Sequence, residues 1–126
     1  MPASYEIDKK QRLVMSTASG VLTVDDIWGH QKRLAKDKDF DPSFSQLMDF
    51  NGVTELVIKT DDVRKFAETS IFSPNSRRAL VVERSDLIFG FSRMFEMLRG
   101  LKGDQSIRVF RNRNDALVWL FSRQDP

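Results

Sequence analysis

Two hydrophobic periods alternate along this chain. Residues 5–8 and 13–19 carry the short alternating runs of strands, and Lys9, Lys10 and Gln11 form a polar turn between them. An antiparallel hairpin therefore opens the sequence, and Gly20 is expected to end its second strand. Thr23, followed by Asp25 and Asp26, has the form of a helix start: the hydroxyl caps, and the acids favour the positive end of the helix dipole. Val24, Ile27, Trp28, Leu34 and Ala35 then recur on one helical face. Asp41-Pro42 breaks the run.

Residues 46–50 predict a short strand closed by an Asn51-Gly52 turn. Leu56, Val57 and Ile58 form a further apolar stretch that fits either an edge strand or a packed loop. Thr60, Asp61 and Asp62 begin a second helix, with Val63, Phe66 and Ala67 on one face. Residues 79–82 are continuously apolar, as in a strand buried on both faces. Ser85 and Asp86 begin a third helix over residues 86–99, stopped by Gly100. Residues 107–110 predict another strand, and Asn112, with Asp115 three positions on, caps a last helix bearing Ala116, Leu117, Trp119, Leu120 and Phe121. The order is ββαβαβαβα. Strands separated by helices imply right-handed crossovers and a mostly parallel sheet, with the first strand antiparallel at an edge.

Composition narrows the chemistry. A chain of 126 residues suits a single domain over 1–126, and 40% hydrophobic with 30% charged residues is a globular balance. With no cysteine, disulfides, thiolate nucleophiles and cysteine zinc sites are excluded, and a single histidine, His30, excludes a multi-histidine metal site. Net charge is +2. Residues 77–126 are more basic than residues 1–76, but without the dense Lys/Arg stripe of a nucleic-acid binder, so no nucleic-acid partner is expected. No apolar run approaches a membrane span and no apolar leader is visible, so a cytoplasmic protein without a transmembrane segment is expected.

No catalytic or cofactor motif is legible. Phosphate loops and the nucleophile elbow are absent. Asp37, Asp39 and Asp41 have the alternate spacing of a calcium loop, but Pro42 and Met48 stand where that loop needs Gly and Glu. His30 lies four residues after Asp26, a spacing that can orient an imidazole. The expectation is therefore no metal, no cofactor and no catalytic residues. The best generic site is the rim beyond the strand ends, where Asp49, Asn51, Glu83, Arg84 and Arg111 would gather, although Asp49 can equally serve the turn that follows it. The third helix is unusually apolar. Leu87, Phe91, Met94, Phe95 and Leu98 share a face widened by Ile88 and Met97, while Phe89 falls outside it, beside Arg93 and Glu96, which can pair. Such a surplus fits a partner subunit, an apolar ligand or a membrane surface.

Six segments together carry a wider pattern: Tyr5-Glu6-Ile7, Leu47-Met48-Asp49, Arg78-Ala79-Leu80-Val81-Val82, residues 89–96, Val109-Phe110-Arg111, and Ala116-Leu117-Val118-Trp119-Leu120. Over residues 5–121 they resemble the SpoIIAA-like family of small bacterial STAS-related proteins. The resemblance implies an α/β fold with a mixed, mostly parallel sheet built from βα superhelical repeats. In the anti-sigma-factor antagonists of the wider fold, a serine in an Asp-Ser-Ser-Gly type motif is phosphorylated; here Asp49 is followed by Phe50-Asn51-Gly52-Val53, with no serine. The wider fold also looks like lipid-binding CRAL-TRIO domains, which keeps an apolar ligand in view. The leading expectation is a non-catalytic interaction or regulatory module acting through protein contact, as a homodimer or with another protein. The alternatives are a carrier of an apolar or amphipathic small molecule, and an enzyme with Asp49 or Glu83 as base and Arg84 or Arg111 as anion clamp. The candidate ligand- or partner-binding residues are Asp49, Asn51, Arg84, Phe89, Arg93, Glu96 and Arg111.

Overall fold

In the computed structural model, which describes residues 2–122, helix starts fall where the sequence offers caps. In α1 (Val24–Lys36) the Thr23 hydroxyl accepts from the Asp26 N–H at 3.2 Å, and the Asp26 carboxylate accepts from the Thr23 N–H at 2.9 Å, a reciprocal capping box. Ser85 accepts from the Ile88 N–H at the head of α3 (Asp86–Leu101), and Asn112 from the Asp115 N–H at the head of α4 (Arg113–Phe121). The short α2 (Thr60–Phe66) begins one residue earlier than expected: Lys59 is its cap residue, and Asp62 receives the Lys59 N–H at 2.7 Å.

The strands are β1 (Ala3–Asp8), β2 (Leu13–Thr23), β3 (Ser45–Val57), β4 (Arg78–Val81) and β5 (Ile107–Phe110). They form one sheet in the order β1-β2-β3-β4-β5, antiparallel between β1 and β2 and parallel elsewhere. The element order ββαβαβαβα and the antiparallel edge are as the sequence predicts.

Three glycine readings need correction. Gly20 does not end β2: it sits at φ +66° inside the strand, where the register with β3 shifts before Val21, so it marks a bulge. Asn51-Gly52 is not a turn. β3 runs through it to Val57, absorbing Leu56 and Val57 as strand, because the bare Cα of Gly52 lets β2 come close. A Cβ there would lie 3.0 Å from the Ser19 Cβ and 3.1 Å from the Ala18 carbonyl oxygen. Gly100 does not stop α3, which continues through Leu101; the left-handed turn residue is Gly103, at φ +91°.

Strand alternation divides the core between the two sheet faces. Leu13, Leu47, Ala79 and Val81 point to the face covered by Ala116 and Leu120 of α4. Ala18, Met48 and Leu80 point to the other face, where Ile27 of α1 and Phe95 of α3 pack. On this second face α1 lies over β1 and β2, α3 lies over β5, and α2 packs on α3. The two long helices thus cover opposite margins and leave the middle of the sheet between them.

The glycine contacts give opposite expectations for two substitutions. Gly52→Val forces β2 and β3 apart and lowers stability by about 1–3 kcal/mol. Gly90→Ala, in open space on α3, raises it by about 0.5–1 kcal/mol. Urea midpoints at unchanged m-value read both; a neutral Gly52→Val would contradict the close approach of the two strands.

Candidate functional site

The gap between α1 and α3 is a cleft of about 170 Å³. Its floor is the inward face of β3 and β4, with Met48 and Leu80. α1 contributes Ile27 and Trp28, α3 contributes Ile88, Phe91 and Phe95, and the far end of β3 contributes Phe50 and Leu56. Phe66 of α2 roofs it, meeting the Trp28 ring edge-on at 5.1 Å. Trp28, Phe50, Phe66 and Phe91 are only half-buried, so the aromatic rim opens to solvent.

A row of polar side chains crosses the middle of the sheet, with Gln46 and Arg78 on the cleft wall and Ser16 enclosed beside it. Ser16, Gln46 and Arg78 lie on β2, β3 and β4 at inward positions, and all three are buried. Gln46 and Arg78 are direct partners in the parallel register. The Gln46 amide donates to the Ser16 hydroxyl at 3.0 Å. His30 of α1 reaches down to the same hydroxyl, with Nε2 2.9 Å from Ser16 Oγ, while Nδ1 lies 2.9 Å from the Gln31 side-chain oxygen. That oxygen can only accept, so Nδ1 carries the proton and Nε2 accepts from Ser16. Burial holds the His30 pKa below its usual 6.5; the Gln31 contact opposes this and the nearby Arg33 charge adds to it.

Arg78 continues the row on β4. Its Nη2 donates to Asp104 at 2.8 Å, and Arg99 of α3 approaches the same oxygen at 3.4 Å while also donating to the Ala67 carbonyl at 3.0 Å. The Arg78 guanidinium lies over the rings of Phe72 and Phe95. Burial lowers its pKa; Asp104 opposes the shift and Arg99 adds to it.

The residues picked out from sequence lie elsewhere. Asp49 accepts from the Asn51 N–H at 2.8 Å within β3 and pairs with Arg113 of α4 at 2.9 Å. Asn51 accepts from the Glu83 N–H at 2.8 Å. Glu83 and Arg84 are exposed after β4. Arg111 pairs with Asp86 at 2.9 Å and sits 3.8 Å from the centre of the Phe89 ring, so Phe89 is covered by a guanidinium. Arg93 and Glu96 form an exposed pair at 3.5 Å. Asp49 and Asn51 are not at a strand end but inside β3, where Asp49 ties the strand to the start of α4 and Asn51 ties it to the segment after β4, while Phe89 with Arg111 ties α3 to the end of β5; none of these residues lines the cleft. Asp26 closes the α1 cap instead of orienting His30.

The buried polar row left a signal in the sequence. Ser16 falls between Val14 and Ala18 at inward spacing, Gln46 is two residues from Met48, and Arg78 is two from Leu80. Polar residues on the inward phase of three apolar strands need buried partners.

No protein-family model matches the sequence, and no curated protein matches it. Among solved structures the chain is similar to an uncharacterised protein of the DUF3478 family with a SpoIIAA-like fold from Shewanella loihica PV-4. The two share 21% identity over 94% of this chain and 93% of that one, with a TM-score of 0.59. The likeness establishes the SpoIIAA-like fold for this chain. Among the described residues, no helix is long and apolar enough to cross a membrane.

The neutral His30 sets a pH dependence. Its folded pKa lies below the unfolded value, so the unfolded chain binds the extra proton first. Stability is full above about pH 6.5 and declines as pH falls from there toward the folded pKa. Asp37 and Asp41, held below their usual 3.8 by the backbone N–H groups of Asp39 and Ser43, act only in more acid solution. Denaturant melts at several pH values should show the decline just below pH 6.5 in the native chain and its loss in His30→Gln; an unchanged slope in the variant would contradict this environment.

Proposed function

We propose that the protein is a non-catalytic module that binds a small apolar or amphipathic molecule between α1 and α3. The observation that carries this reading is the cleft: an aromatic-rimmed, mostly apolar space with a few polar groups on its wall, the usual make-up of a ligand site. Its size sets the scale of the guest. An apolar cavity of about 150 Å³ admits a benzene-sized molecule, so 170 Å³ suits a ring or a short chain rather than a long-chain lipid.

The non-catalytic part rests on Ser16 and His30. Their 2.9 Å contact has the length of a nucleophile–base pair. However, Ser16 is 1% exposed and does not belong to the cleft wall, and its oxygen already accepts from Gln46. No substrate carbon can approach that hydroxyl while the sheet and α1 enclose it.

Protein contact is a second reading, supported by a different feature. Leu87, Met97 and Leu101 of α3 are 60%, 64% and 85% exposed. With Gly90 and the half-buried Met94 they follow one another at alternating steps of three and four, the spacing by which one helix seats against another. This stripe, on the side of α3 turned away from the cleft, takes over the interface role that the sequence suggested for Phe89.

Two experiments separate the readings. Toluene should raise the melting temperature of the native chain by mass action. Ser92→Leu, which pushes a larger side chain into the cleft, should abolish that rise while leaving the fold intact; an equal rise in both proteins would place the guest elsewhere. Sedimentation should show self-association of the native chain that Met97→Glu weakens at least tenfold, and a monomer at all concentrations with no captured partner would remove the second reading.

A further inference from the structure

The cleft wall carries an uncompensated positive charge. Arg78 and Arg99 are both buried, and among the described residues Asp104 is the one acid within ion-pair distance of either guanidinium. Two cations share one carboxylate, leaving a buried excess of one positive charge. An isolated buried charge is costly unless a counter-charge meets it.

The donors are also underused. Among the described residues, the bond from Nη2 to Asp104 is the one hydrogen bond of the Arg78 guanidinium. Arg78 Nε is walled off from solvent with no acceptor. The two Nη1 hydrogens and the second Nη2 hydrogen are unspent as well, on a residue that lines the cleft. Beside it on the wall are two more groups with hydrogen-bonding capacity to spare. Ser92 of α3 is buried, yet its hydroxyl has no partner among the described residues, and Gln46 uses only one amide hydrogen, toward Ser16. The rest of the wall is dominated by Trp28, Phe66, Phe91 and other apolar side chains.

We propose, building on the small-molecule reading above, that the guest is a small monocarboxylate. Its apolar body lies among the aromatic residues and its carboxylate accepts from Arg78, with Ser92 and Gln46 beside it. One negative charge balances the excess of one positive charge. A dianion would overshoot it, and a neutral guest would leave the guanidinium unmatched. The size of the cleft limits the body to one ring or a chain of about six carbons, by comparison with the benzene-sized cavity.

Calorimetry with hexanoate and hexanamide at pH 7 tests this, because the two differ in charge and hardly in shape. The native chain should bind hexanoate at least tenfold more tightly than hexanamide, the scale of a charge-assisted hydrogen bond. Arg78→Gln should erase the difference. Because that variant can fail to fold, nuclear Overhauser contacts between the C2 protons of bound hexanoate and the Arg78 Hδ protons give an independent readout on the native chain. Equal affinity for both probes would overturn the carboxylate assignment and leave the small-molecule reading standing. Preference for hexanoate that survives in folded Arg78→Gln, or contacts that place the carboxyl end away from Arg78, would also overturn it. Binding of neither probe would remove both.

Discussion

The structure turns on a row of polar side chains buried in the middle of an apolar sheet. Ser16, Gln46 and Arg78 face the same way on three neighbouring strands, where hydrophobic residues would otherwise stand. A buried polar group without a partner costs roughly 1–3 kcal/mol, and a buried charge without one costs more. The row must therefore be met from above, and it is met at both ends. His30 reaches Ser16 from α1, and Asp104, shared with Arg99 of α3, reaches Arg78. Each long helix is held to the sheet through its end of the row, which keeps the two apart. The cleft is the space that this leaves.

The same constraint explains how α3 is oriented. Its hydrophobic residues alone point Leu87, Phe91, Met94, Phe95 and Leu98 inward. The buried positions are instead Ile88, Ser92 and Arg99, with Phe95 beside them, a rotation of about 90° at 3.6 residues per turn. Arg99 faces inward because Asp104 and the Ala67 carbonyl wait there, and Ser92 because the cleft lies beneath it. Turning the helix to satisfy these polar groups moves Leu87, Met97 and Leu101 into solvent. The ligand cleft and the apolar outer stripe thus have one cause.

Much of the fold was legible because it is written locally. Thr23 with Asp26, Ser85, and Asn112 with Asp115 are caps that work within four residues, and the apolar run after Arg78 reads as a buried strand without knowledge of its neighbours. What escaped depends on contacts distant in sequence. Gly20 and Gly52 look like turn residues, but one is a bulge and the other a point of close strand approach, and both depend on how β2 and β3 pair. The candidate site escaped for the same reason. Asp49, Asn51 and Arg111 stand out as polar residues at expected strand ends, but Asp49 and Asn51 lie inside the longer β3, and each of the three finds a structural partner. Ser16, Gln46 and Arg78 matter only once three strands are laid side by side, and only the phase of the alternation hints that they face inward.

This buried polar row holds α1 and α3 apart over an open cleft. A crystal structure of the protein grown near neutral pH, without added ligand, tests it most directly. The expected result is an aromatic-rimmed opening between Trp28 and Phe91, with ordered water or a bound molecule against Arg78. Collapse of α1 onto α3, with Phe66 and Phe95 filling the space and Arg78 turned out to solvent, would contradict it.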